Sequence, residues 1–376
     1  MPPTLPVCSF PPPDPASVRA ARTALLDSLD AVALYELRFE VETATPITLA
    51  EHPGSALRGA LVKALLDAHC TNKAAPSCAA CPLVHVCPVS ALAAPLREDA
   101  ARGRDVPRPF VVSPPLPAPS HLAKGSPWSF GLTLFGPAAA LFPYVVLAQR
   151  FLEANGLGMR DEAGRRGRFL VRRIVSLSHA GREDVLYERG MSHVTAPTRT
   201  PLRARVAARA ESLPDDMLTL HLLSPLRLKA GGEILQRFDA AALVQRILER
   251  WEGLRREYGQ GPGRDIVAPL HGPIPSEARG DPRMLLALGD AVRVAHDGTR
   301  WRDIDSYSSR QKRFTPIGGL LGSVILSGDL DGLREVLALG EIIRVGKDVV
   351  KGNGRYIVQD APPTPSTAPE GRTSWS

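Results

Sequence analysis

The sequence predicts an α+β chain built from two similar units, each with the order β–α–β–β–α–β. Three observations carry this reading. Strand-like runs alternate with amphipathic helical runs along the chain, the same order occurs twice, and a Pro- and Arg-rich stretch around residues 196–201 separates the repeats. At 376 residues and 44% hydrophobic composition the chain can bury a substantial core, and its length suits more than one domain. The units are expected at 18–197 and 198–360. A leader, 1–17, and a tail, 361–376, are rich in Pro, Ser and Thr and are expected to be disordered.

In the first unit, residues 33–41 alternate as a strand, and Pro53 marks the start of a helix over residues 54–69. Leu57, Leu61, Ala64, Leu65 and Ala68 share one face of that helix, with Arg58 and Lys63 off it. Residues 110–113 supply a short strand, 128–135 a second, 138–153 a helix and 169–177 a final strand. The second unit repeats the theme with a strand at 217–223, a helix at 239–257, strands at 301–307 and 316–326, a helix at 331–339 and a strand at 341–345. Residues 258–299, rich in Gly and Pro with a short helix, form an insertion without an assigned place.

Between that last strand and the run at 355–358 lies Gly-Lys-Asp-Val-Val-Lys-Gly-Asn-Gly, residues 346–354. Gly346, Gly352 and Gly354 let backbone approach an anion closely, and Lys347 and Lys351 add charge. The alternative is a glycine-rich hairpin with no ligand. A nucleotide-hydrolysing phosphate loop would need Ser or Thr after the lysine, and Asp348 stands there, so ATPase chemistry is disfavoured. The net charge of +7, from 46 Lys+Arg against 39 Asp+Glu, favours polyanionic partners. Basic residues cluster at Arg165, Arg166, Arg168, Arg172 and Arg173, at Arg199, Arg203, Arg205 and Arg209, and at Arg310, Lys312 and Arg313; each cluster reads equally well as a solvated face. No secretory signal or membrane-length apolar run is present, so a cytoplasmic location with reduced thiols and no membrane partner is expected.

Four of the five cysteines fall as Cys70-x7-Cys78-x2-Cys81-x5-Cys87, a spacing suited to four thiolates on one tetrahedral ion. The expectation is a structural zinc knuckle inserted in the first unit. Four sulfur ligands leave no place for a reactive water, so no catalytic metal is expected; His85 could replace one sulfur. Cys8 stands apart in the leader as a free thiol.

The ordered set Gly-Ser-Ala-Leu-Arg-Gly (54–59), the cysteine knuckle, Pro-Arg-Pro-Phe (107–110), Tyr-Ser-Ser-Arg-Gln (307–311), Gly318-Gly319 and Leu-Gly-Glu-x3-Val-Gly-Lys-x4-Gly-x-Gly (339–354) resembles one family. The chain is similar, over residues 33–358, to the CRISPR-associated endoribonucleases that process precursor crRNA, RAMP-superfamily proteins with tandem ferredoxin-like (RRM-like) domains. The resemblance implies metal-independent cleavage of CRISPR repeat RNA, in which a ribose 2′-OH attacks the adjacent phosphate and leaves 2′,3′-cyclic phosphate and 5′-OH ends. A general base, an oxyanion stabiliser and a leaving-group acid are then required. His52 and His69, at the two ends of the first helix, are the candidate bases, and Lys347 is the candidate partner of the phosphorane charge. Arg58, Arg310, Lys312, Arg313, Arg344, Gly346, Lys347, Lys351, Gly352, Gly354 and Arg355 are the candidate RNA-binding residues. Many relatives carry His where this chain has Arg344, which opens a second reading: a noncatalytic crRNA-binding subunit of an effector complex. Repeat RNA or crRNA, and other effector subunits, are the implied partners. A zinc-knuckle DNA-binding regulator is a third reading, weakened because helix 54–69 offers only Arg58 and Lys63 to a groove.

Overall fold

The computed structural model describes residues 14–95, 107–178, 182–259, 284–308 and 313–359. Residues 1–13 with Cys8, His179, Arg310, Lys312 and the tail 361–376 lie outside the described residues. Helix α1, Pro15–Ser28, opens the described chain and takes in the end of the expected leader. The Asp14 carboxylate caps it by accepting from the Ala16 and Ser17 amides at 3.0 Å each. Although first in sequence, α1 packs on the second unit: Arg22 pairs with Glu335 at 2.6 Å, and the Trp251 indole donates to Ser28 Oγ at 2.8 Å.

The first unit comprises β1 (Leu34–Thr43), α2 (Gly54–His69), α3 (Pro88–Ala93), β2 (Phe110–Ser113), β3 (Pro127–Phe135), α4 (Phe142–Asn155), β4 (Phe169–Leu177) and β5 (Glu183–Glu188). Its antiparallel sheet has the order β2-β3-β1-β4-β5, with the first and third strands of the motif at the centre, as a ferredoxin-like fold requires. Leu37, Phe39 and Val41 of β1 face the α2/α4 layer, and Phe39 stacks on Phe130 with ring centroids 4.7 Å apart. Arg38 and Glu40 alternate to the other face, where Glu40 meets Arg173 at 2.8 Å. Edge strand β5 was not anticipated by the sequence pattern.

After α5 (Leu202–Glu211), the second unit runs β6 (Met217–Leu226), α6 (Ala240–Tyr258), α7 (Met284–Ala291), β7 (Arg293–Asp297), β8 (Arg300–Arg302), β9 (Asp305–Ser308), β10 (Arg313–Pro316), β11 (Gly319–Ser327), α8 (Arg334–Ile343) and β12 (Tyr356–Gln359). Its sheet has the order β7-β11-β6-β12, the same connectivity as the first. The second strand of the motif is β7, from the stretch left unplaced by sequence. The expected strand 301–307 instead divides into β8 and the first arm of the β9–β10 hairpin.

The expected strand at 341–345 is a correction as well. Residues 341–343 complete α8, because Val336, Leu339, Ile342 and Ile343 recur at helical spacing into the core and override their β-branched character. The glycine-rich segment therefore joins a helix to a strand and is not a hairpin. Edge strand β12 is closed off by side chains: the Val358 amide donates to Glu341 at 2.6 Å, and Arg209 from α5 donates to the Val358 carbonyl. Among the described residues, no helix is long and apolar enough to cross a membrane.

Candidate nucleic-acid interface

The glycine-rich loop passes along the free edge of β2 and touches the first unit on both sides of it. A Cβ on Gly352, whose φ is +88°, would lie 2.6 Å from Pro114 Cδ and 3.0 Å from the Val112 carbonyl oxygen. A Cβ on Gly54, the first residue of α2, would overlap the Lys351 carbonyl. Glycine at both positions is what lets backbone from one unit lie against backbone from the other. Lys351 pairs with Asp348 at 2.8 Å, while Lys347 is exposed and its amide donates to the Arg227 carbonyl at 3.0 Å.

His52 sits two residues before α2 at this junction. Its side chain is only 10% exposed, and neither ring nitrogen has a hydrogen-bond partner among the described residues. Glu51 Oε1 stands 3.7 Å from Nε2, and Glu51 is bridged at 3.1 Å by Arg302 of β8, from the other unit. Burial holds the imidazole below its ordinary pKa; Glu51 opposes that shift and Arg302 adds to it. One residue into α2, the Ser55 hydroxyl hydrogen-bonds the Ser306 hydroxyl of β9. Arg58 lies one helical turn beyond Gly54 and so shares the α2 face that meets the loop.

The other candidates distribute differently. His69 ends α2, roughly 22 Å from its start, and its Nε2–H donates to the Tyr144 carbonyl at 2.8 Å with the rings edge to face at 5.2 Å. His52 and His69 thus do not share a site. Arg313 lies on exposed β10, beside Phe314, which is 68% exposed. Arg344 is buried at the C-cap of α8, donating to Ser113 Oγ at 2.9 Å, and Arg355 begins the approach to β12. Sequence reading missed Glu51, Ser55, Arg302, Ser306 and Phe314. A carboxylate adjoining His52 was a usable signal for Glu51; Ser55, Arg302 and Ser306 depend on pairing between units.

The expected tetrathiolate is not gathered. Cys70, Cys78, Cys81 and Cys87 are half-buried and form no disulfide, and among the described residues no three His, Cys, Asp or Glu side chains form a group able to hold a metal. Cys70 is fixed as the C-cap of α2, Cys78 opens a 3-10 turn and Cys87 caps α3, while Cys81 Sγ accepts from Asn72 at 3.6 Å. Each sulfur is held by its own local turn.

Two tandem ferredoxin-like units thus meet along a basic, glycine-rich seam. A family model described as CRISPR-associated endoribonuclease Cas6 matches residues 220–356. A further model, described as an N-terminal domain, matches residues 32–199. Among solved structures, a Cas6 product complex is 15% identical, with 87% of this chain and 99% of that chain covered at a TM-score of 0.47. Thermus thermophilus Cas6 is also 15% identical, covering 88% and 99% at 0.43. A partial Cas6-RT-Cas1–Cas2 complex is 10% identical, covering 88% of this chain and 46% of that chain at 0.49. No curated protein sequence matches the chain.

Proposed function

We propose that the chain cleaves CRISPR repeat RNA without a catalytic metal and retains the crRNA product, with His52 as the general base. The observation that carries this is the half-enclosed imidazole of His52, with two unpartnered ring nitrogens, beside the glycine-rich loop. An unsatisfied titratable group at a junction of backbone and cations is costly to keep, and a substrate that bonds it offsets the cost. Neutral His52 would take the proton from the 2′-OH. The 2′ oxygen bonds to the adjacent phosphorus, the bond from phosphorus to the 5′ oxygen breaks, and that oxygen takes a proton from solvent water as it leaves, while protonated His52 returns its proton to solvent.

Glu51 and Arg302 cover the imidazole as a surface pair, 66% and 56% exposed. Such a pair contributes about 0–1 kcal/mol, so an RNA phosphate competing for Arg302 can open it. Lys347, Lys351, Arg58 and the amides around Gly346, Gly352 and Gly354 are assigned to the phosphates on this side. Arg313, with its sequence neighbours Arg310 and Lys312, would hold the strand beyond, with Phe314 as a stacking surface for a base. Other CRISPR effector subunits are further candidate partners. The shielding of His52 favours one alternative, a noncatalytic crRNA-binding subunit.

Incubation of the purified protein with repeat RNA in EDTA separates the two readings. The expected products end in 2′,3′-cyclic phosphate and 5′-OH; intact but tightly bound RNA would establish the alternative instead. The Cys70–Cys87 spacing further supports a structural zinc bound by Cys70, Cys78, Cys81 and Cys87, despite their separation here. Elemental analysis of purified protein is expected to find about one zinc per chain, lost in Cys78→Ser. Metal-free wild type that melts at the same temperature with and without added zinc would end that reading.

A further inference from the structure

We propose that the cysteine-bearing segment, residues 69–88, and the N-terminal half of α4 together form a docking surface for a second copy of this chain. The surface lies outside the seam at His52 and needs neither the RNA reading nor a bound metal. None of residues 69–88 is buried, although the segment carries large apolar side chains: Leu83 is exposed and Val86 is 79% exposed. On α4, Tyr144 is exposed and Leu147, one turn further on, is 63% exposed. Two contacts bring the segments together. His69, at the start of the cysteine segment, meets the carbonyl and the ring of Tyr144. At the segment's other end, α3 packs on the 3-10 turn Gly136–Leu141 that leads into α4. These apolar side chains therefore stand at one end of the first unit, while His52 stands beyond the opposite end of α2.

Charge decides the occupant. Between Ala68 and Leu96 the one charged residue is Lys73, and residues 136–149 carry none, in a chain where 23% of residues are charged. A phosphate backbone, an acidic protein or an anionic membrane would each call for cations that this surface lacks. Depletion of charge instead marks the core of a protein–protein interface. Two copies with a net charge of +7 each repel one another, so a neutral face is where they can approach. Across a two-fold axis the same residues meet themselves, and an uncharged apolar patch is then complementary to its own copy. The size also suits a folded partner. Residues 69–88 with the outer turns of α4 match the roughly 20–30 residues a side of a standard stable interface. Burying Val86 and Leu147 in both copies supplies the driving force.

Sedimentation velocity on the full chain, at about 1 and 50 µM and in low and high salt, tests this. A dimer of twice the 40.4 kDa chain mass is expected at the higher concentration, and high salt should strengthen it by screening the net charge. Leu147→Glu and Val86→Glu each set an unpaired carboxylate against its own copy and should weaken association about a hundredfold or more. Both positions are exposed in the single chain, so both variants should melt as the wild type does wherever the wild type is monomeric. Met217→Glu, at an exposed apolar residue of β6 in the other unit, should leave the dimer intact. Wild type that stays monomeric at about 50 µM in both salts overturns the proposal. So does a dimer that both glutamate variants leave intact, or one that Met217→Glu disrupts equally. Should Val86→Glu misfold the cysteine segment, Leu147→Glu decides alone, because α4 is held by the core of the first unit. A monomer that instead sediments with phosphatidylcholine vesicles gives the face to a lipid surface and overturns the dimer as well.

Discussion

Replacing His52 with alanine is expected to slow cleavage of repeat RNA by about a hundred- to ten-thousand-fold, the range a positioned general base supplies, with RNA affinity nearly unchanged. The pH profile provides the more specific readout. A base works when neutral, so the rate falls as pH drops through the imidazole pKa. Burial lowers that pKa below the ordinary value, so the acid limb of the wild-type profile should lie below the usual histidine range. Glu51 opposes the shift, so Glu51→Gln should move the limb further toward acid. Single-turnover rates against pH measure both. A limb above the ordinary histidine value, or one unmoved by Glu51→Gln, would remove His52 as the base.

The parts of the fold legible in the sequence are those whose burial has one period and one neighbour. Residues 110–113 and 169–177 are strands with the expected limits, and Asp239 marks the start of α6 as an N-cap whose carboxylate accepts the Ala242 amide at 2.7 Å. Helix α1 escaped notice because its Pro-rich approach resembles disorder, and its apolar face, Ala21 and Leu25, is satisfied by a unit that begins far along the chain. Ile342 and Ile343 read as strand because β-branching was weighed locally, whereas packing against the second sheet decided for helix. At the candidate site, His52 and the lysine–glycine loop carried a sequence signal because their chemistry is written in residue type. Arg302 had none. It matters through Glu51, two hundred and more positions away, and only the pairing of the units brings them together.

Gly54→Ala is expected to be the most damaging small substitution at the seam. Alanine is the better helix former, so in an isolated α2 the change would stabilise by about 0.5–1 kcal/mol. Here the new methyl would overlap the Lys351 carbonyl, a backbone atom fixed by the Lys351 amide donating to the Asp348 carbonyl at 2.8 Å and by Gly352 against Val112 and Pro114. Neither side can yield by a rotamer change, so the loop must lift from α2, at a cost of about 1–3 kcal/mol or more. That movement would also withdraw Lys351 and expose the Ser55–Ser306 contact beside His52, so cleavage should fall together with stability. Gly59→Ala is the internal control, since it lies in the same helix with nothing within 4 Å of the added carbon. Thermal melting and cleavage assays on the pair should diverge, with Gly59→Ala at or above wild type and Gly54→Ala below it in both. Equal behaviour would mean that α2 and the glycine-rich loop are not in contact in solution, and His52 would then lose the phosphate-binding loop on which its assignment as the base depends.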